Sequence, residues 1–226
     1  MLYFFFGGCY VEADHQSFIT YVALGDSLTV GVGASFLAPG FVGRYVRLIE
    51  KEKHVNVCTN IYARSGIETD GVLDIARSQA LHSKIERANI ITISAGGNDL
   101  IQASKDFIES GETAELVQSV KDCHSNMVRI MGTIHKLKQQ CGIPYRVYLL
   151  NLYNPLPQIQ LADKWVKLFN QHLNSFHNGK TILVADLYSA FQGRQDELLS
   201  RDRIHPNNLG YKKIAETLSE LGYPAV

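Results

Sequence analysis

The chain has 226 residues, enough for one sizeable α/β domain with its own core. A hydrophobic content of 46% against 19% charged residues excludes a disordered or fibrous protein, and 22 basic residues balancing 22 acidic ones leave no global field that would draw the chain to a nucleic acid. The four cysteines, Cys9, Cys58, Cys123 and Cys141, form no C-x-x-C pair, which excludes the usual structural zinc and dithiol redox arrangements and reads as four separate thiols.

In chain order, the first segment is Met1-Leu-Tyr-Phe-Phe-Phe-Gly-Gly-Cys9, which is apolar but far short of the roughly 20 residues needed to span a bilayer. No Lys or Arg precedes Arg44, so the basic flank of a secretory signal is missing, although Phe6-Gly-Gly-Cys9 resembles a bacterial lipobox with Cys9 at the lipid-bearing position. Residues 1–17 are therefore expected to be an N-terminal arm or the remnant of an export signal, and residues 18–226 one domain. Cytoplasmic and exported or cell-surface locations both stay open.

Phe18 to Leu24 is a short apolar, β-branched run closed by Gly25, the pattern of a buried parallel strand. Similar runs recur at Val55 to Ile61, Ala88 to Ser94, Tyr145 to Leu152 and Thr181 to Leu187. Between them, Pro39 to Lys53, Thr113 to Gln140, Asp163 to Phe176 and Leu209 to Leu221 carry apolar residues at helical spacing. Five strands alternating with helices predict a parallel sheet covered on both faces, and in such sheets function gathers in the loops beyond the carboxyl ends of the strands.

Those loops hold the residues that carry chemistry. Ser27 follows the first strand on a turn containing Gly25, a place suited to a nucleophile, but a serine hydroxyl needs a general base and its oxyanion needs preorganised donors. Asp202 and His205 lie three apart, so on a helical turn a carboxylate reaches one imidazole nitrogen and leaves the other free to take a proton. Gly66 and Asn98, after the second and third strands, offer a backbone N–H and a side-chain amide. Asp26 and Asp99 read as turn or cap carboxylates, Arg64 as a solvated arginine, and His124, His135 and His172 as histidines without ligand spacing.

Taken together, Gly25-Asp26-Ser27-Leu28, Gly66, Gly96-Gly97-Asn98-Asp99 and Asp202-x-x-His205-Pro206 resemble the ordered blocks of the SGNH or GDSL hydrolases, over roughly residues 18 to 221. The resemblance implies a three-layer α/β/α sandwich with a five-stranded parallel sheet of flavodoxin-like order. It implies a serine hydrolase that cleaves carboxylic esters through an acyl-enzyme, with Ser27 as nucleophile, His205 as base and Asp202 orienting it. It further implies an oxyanion hole from the Ser27 and Gly66 N–H groups and the Asn98 side chain, without metal or other cofactor. Leu152-Tyr-Asn-Pro155 resembles a segment of bacterial lipase-like members, including relatives of spore lipolytic enzymes.

Rival readings fit the details less well. An α/β-hydrolase elbow, G-x-S-x-G, needs glycine where Thr29 stands; a G-x-G-x-x-G read from Gly31 meets Phe36, and a P-loop read from Gly25 meets Val30 and lacks the lysine. A non-catalytic ligand-binding member of the same fold and a carbohydrate O-deacetylase remain alternatives. The expected partner is a small-molecule or lipid acyl ester. Phe36, Leu37, Phe41, Leu100, Ile101, Tyr153 and Leu156 are apolar neighbours of the catalytic blocks and are expected to line an acyl cleft, with Phe36, Leu100 and Tyr153 as the substrate-binding candidates.

Overall fold

In a computed structural model, residues 18–139 and 141–225 are described; the Cys9 lipobox and the N-terminal arm lie outside them. Strand β1 (Phe18–Gly25) is followed by a short helix α1 (Ser27–Val30) and by α2 (Phe41–Lys53), then β2 (Asn56–Ala63). Helices α3 (Thr69–Arg77) and α4 (Gln79–Arg87) lead to β3 (Ile90–Ser94), and α5 (Gly97–Ser110) and α6 (Ala114–Lys138) lead to β4 (Arg146–Leu150). Helix α7 (Gln160–Asn174), β5 (Ile182–Ala185), α8 (Leu187–Phe191), α9 (Gln195–Leu198) and α10 (Asn208–Glu220) complete the order.

The sheet is all parallel, in the order β2-β1-β3-β4-β5. Its central strands are largely apolar and buried along most of their length because both faces are covered, and alternation sorts their side chains between two cores. Val22, Leu24, Ile91, Ile93, Val147 and Leu149 pack with residues of α3 to α7. Tyr21, Ala23, Ile90, Tyr148 and Leu150 point the other way, to α2, α8, α9 and α10. This is the expected α/β/α sandwich.

Three expectations about local structure are corrected. The fifth strand ends at Ala185, short of Leu187, because Asp186 caps α8 by accepting from the Ser189 N–H, so Leu187 begins a helix. Asn98 lies in the first turn of α5 rather than in a loop. The Asp202–His205 segment is a tight turn and no helix: Arg203 is left-handed at φ 61°, and the Asp202 carboxylate accepts from the Ile204 and His205 N–H groups, a local closure that competes with helix formation.

Candidate active site

The sheet order reverses between β1 and β3, and the site lies beyond their carboxyl ends. Gly25 closes β1 at φ 151°, and a Cβ there would sit 2.3 Å from Ser94 Oγ and 2.5 Å from Ser94 O, so only glycine lets the strand turn this close to β3. The next residue, Asp26, is buried. Its carboxylate caps α1 by accepting from the Leu28 N–H at 3.0 Å and also accepts from Ser94 Oγ at 2.7 Å. Burial pushes this carboxyl above its ordinary range, while those hydrogen bonds oppose the rise. Asp26 is thus the cap that the sequence suggests, and it ties the turn that carries Ser27 to β3.

Ser27 is the first residue of α1, 7% exposed. Its Oγ lies 2.9 Å from His205 Nε2, and His205 Nδ1 lies 2.6 Å from Asp202 Oδ2. With Nδ1–H donating to the carboxylate, Nε2 is left to accept from the serine hydroxyl. Burial alone would raise the Asp202 carboxyl, but hydrogen bonds from the His205 ring, the Ile204 and His205 N–H groups and Ser200 Oγ outweigh it and hold this group well below the usual carboxylate range. It stays an anion beside the imidazole across the physiological range.

The turn carrying Asp202 and His205 is closed by the Leu199–Pro206 bridge and by the Ser200 N–H donating to His205 O at 2.7 Å. Gly33, at φ 92°, lets the segment after α1 lie against this turn, since a Cβ there would meet Pro206 O at 2.6 Å and His205 Cβ at 3.0 Å. Gly25 and Gly33 therefore both serve close backbone approach within the site.

Asn98 donates from Nδ2 to Ile67 O at 2.7 Å, which ties the segment holding Gly66 to the start of α5. Among the described residues, neither the Ser27 N–H nor the Gly66 N–H donates to a protein acceptor. Asp99 is a cap, but across the fold: it accepts from the Thr69 N–H and from Thr69 Oγ1 at 2.6 Å, at the start of α3. Arg64 is exposed.

A cleft of about 370 Å³ opens beside Ser27 and His205. Gly97 and Asn98 line it together with Ser27, and Leu100, Ile101, Leu152, Tyr153, Leu156, Trp165 and Val166 form its walls. Leu100 and Tyr153 are therefore where the sequence suggests. Phe36 is not: it stands 98% exposed, as Leu37 does at 90%, on the loop after α1 and outside the cleft lining, while Phe41 turns wholly into the core against α10. Phe36 is withdrawn as a lining residue because the loop carries it away from the cleft. Sequence reading missed Ser104, Ala162, Trp165 and Val166, although Leu100/Ser104 and Ala162/Trp165/Val166 have the i, i+3, i+4 spacing of one helix face.

A hydroxyl, an imidazole and a carboxylate in series at the carboxyl edge of a doubly wound sheet, next to an apolar cleft, define the site of a serine hydrolase. Comparison with known proteins agrees. The GDSL-like lipase/acylhydrolase family matches residues 23–213; the chain belongs to that family and is a carboxylic ester hydrolase. It is similar to the spore germination lipase LipC of Bacillus licheniformis, with 40% identity over 205 residues covering 91% of this chain and 97% of that one. Among solved structures it resembles the lipase Lip_vut3 from a goat rumen metagenome, at 40% identity, TM-score 0.88 and coverage of 91% and 98%. The acetylxylan esterase Axe2 of Geobacillus stearothermophilus, at 17% identity, TM-score 0.65 and coverage of 91% and 94%, shares the fold.

Proposed function

We propose that Ser27 is the nucleophile, His205 the general base and Asp202 the residue that orients it, and that the substrate is an ester of a medium-length fatty acid whose acyl chain lies between α5 and α7. The observation that carries this reading is the unbroken series Ser27 Oγ, His205 Nε2 and Nδ1, Asp202 Oδ2 at 2.9 and 2.6 Å. In the first half-reaction Ser27 Oγ bonds to the ester carbon as its proton passes to His205 Nε2, and the carbonyl oxygen takes the negative charge. The Ser27 and Gly66 N–H groups and the Asn98 amide receive that charge. Collapse breaks the bond to the alcohol oxygen, which takes the proton from His205. A water molecule, deprotonated by the same imidazole, then releases the acid and restores the serine.

The acyl assignment rests on the cleft walls, which are apolar side chains from three elements beside the nucleophile. The lipase names of the two relatives at 40% identity point the same way. A fluorophosphonate probe tests the centre directly: it should label Ser27 in stoichiometric amount, fail on Ser27→Ala and react far more slowly with His205→Ala. Turnover losses on the order of a millionfold are expected for either variant, by analogy with serine proteases. Near-normal turnover in either would refute the assignment.

A further inference from the structure

Tyr153 lies just beyond the end of β4, with its ring stacked on Phe191 of α8 at 4.4 Å between centroids and 13° between planes. The residue before it is clamped to α7: the Leu152 N–H donates to Asn170 Oδ1 at 2.9 Å, and Asn170 Nδ2 donates to Leu152 O at 2.8 Å. From this fixed base the Tyr153 hydroxyl donates to Ile204 O at 2.7 Å. That carbonyl belongs to the peptide unit whose N–H, on His205, donates to Asp202 Oδ1 at 2.9 Å. Both ends of the peptide that precedes His205 are therefore held, one by the orienting carboxylate and the other by Tyr153.

We propose that Tyr153 is a positioning residue for His205, holding the catalytic turn in register with the sheet that carries Ser27. This rests on His205 being the base. The hydrogen bonds within the turn, from Ser200, Ile204 and His205, preserve its shape but do not set its distance from the sheet. Ser27 is anchored to β3 through Asp26 and Ser94, and Tyr153 anchors the turn to the end of β4, the strand beside β3. The two halves of the relay are thus referred to adjacent strands. Nucleophile–base geometry must hold within roughly 0.5 Å to remain productive, which a surface turn does not maintain unaided. Burial holds the Tyr153 phenol well above its ordinary range, so it remains a donor at any pH at which the enzyme works.

The test is Tyr153→Phe, which keeps the ring stack and the cleft wall and removes the donor alone. With p-nitrophenyl butyrate, kcat per folded molecule should fall about tenfold, the equivalent of one net hydrogen bond, while KM changes by less than about twofold. The rate of fluorophosphonate labelling should fall by a similar factor, because it reports activation of Ser27 without substrate turnover. Incorporating p-aminophenylalanine at position 153, which restores a donor, should recover most of the loss. Unchanged kcat and labelling, a rise in KM with kcat preserved, or failure of the rescue would each overturn the inference. His205→Ala run in parallel separates the two readings: if it is inactive and Tyr153→Phe is unaffected, only the positioning role fails, whereas an active His205→Ala removes the base itself.

Discussion

Asn98→Ala should separate the proposed oxyanion role of this side chain from its structural one. Asn98 starts α5, and one of its amide protons is committed to Ile67 O at 2.7 Å; the residue lines the cleft with Ser27, leaving the second proton for a developing oxyanion. Loss of one oxyanion donor costs roughly a hundred- to a thousandfold in kcat, about 2.7–4 kcal/mol, with little effect on KM because the charge exists only in the transition state. Loss of the Ile67 bond costs about 1 kcal/mol of stability, which for a chain of this size lowers Tm by roughly 2–4 °C. Steady-state kinetics on p-nitrophenyl butyrate and calorimetry read the two effects independently. Asn98→Asp provides the control: it fills the same space, cannot donate while ionised and faces the Ile67 carbonyl with a like charge, so its kcat should be at least as low as that of Asn98→Ala. A rise in KM with kcat held would make Asn98 a ground-state contact and refute the oxyanion argument; an unchanged Tm would refute the structural half.

Asp202→Asn should lower kcat by about ten thousandfold, since an amide facing Nδ1 favours the wrong imidazole tautomer, and a loss below about a hundredfold would mean that another acceptor orients His205. Because Asp202 is held below the unfolded carboxylate value, its contribution to stability is fully present above about pH 4 and is lost as pH falls toward its folded-state value. The Tm gap between wild type and Asp202→Asn should accordingly narrow as pH falls below about 4; a gap that widened over that acid range would reverse the sign of the argument. Across p-nitrophenyl esters, kcat/KM should climb from acetate to between butyrate and octanoate. Four added methylenes offer roughly 3 kcal/mol if fully buried, so even half burial gives about tenfold. Ala162→Phe, which adds a ring to the cleft wall, should flatten that climb; a steady fall from acetate in wild type would instead indicate an acetyl-ester hydrolase. Gly25→Ala should lower Tm by on the order of 5 °C, from about 1–3 kcal/mol of backbone strain plus the 2.3 Å approach to Ser94 Oγ, and an unchanged Tm would mean the turn relaxes freely.

The strands were legible because two-sided burial leaves runs such as Ile90 to Ser94 no polar residue facing solvent, and such runs flanked by amphipathic segments have few other folds available. The placement of the candidate site residues was legible for a different reason. Ser27, Asn98, Asp202 and His205 each sit in a short segment whose backbone, as well as side chain, is constrained, so residue type and spacing carry the information locally. What the sequence could not determine were relations between distant segments. Asp99 looks like a local cap and in fact receives Thr69, 30 residues away. Phe36 and Phe41 are equally apolar and follow Ser27 closely in the chain, yet one stands in solvent and the other is sealed in the core, because a loop and a helix face differ only in what packs against them. The Tyr153–Ile204 bond joins residues 51 positions apart, and the cleft wall on α7 lines the same cleft as Ser27, which is far away in the chain. Side-chain identity sets which contacts are favourable, but only the packed helices decide which of them come within reach.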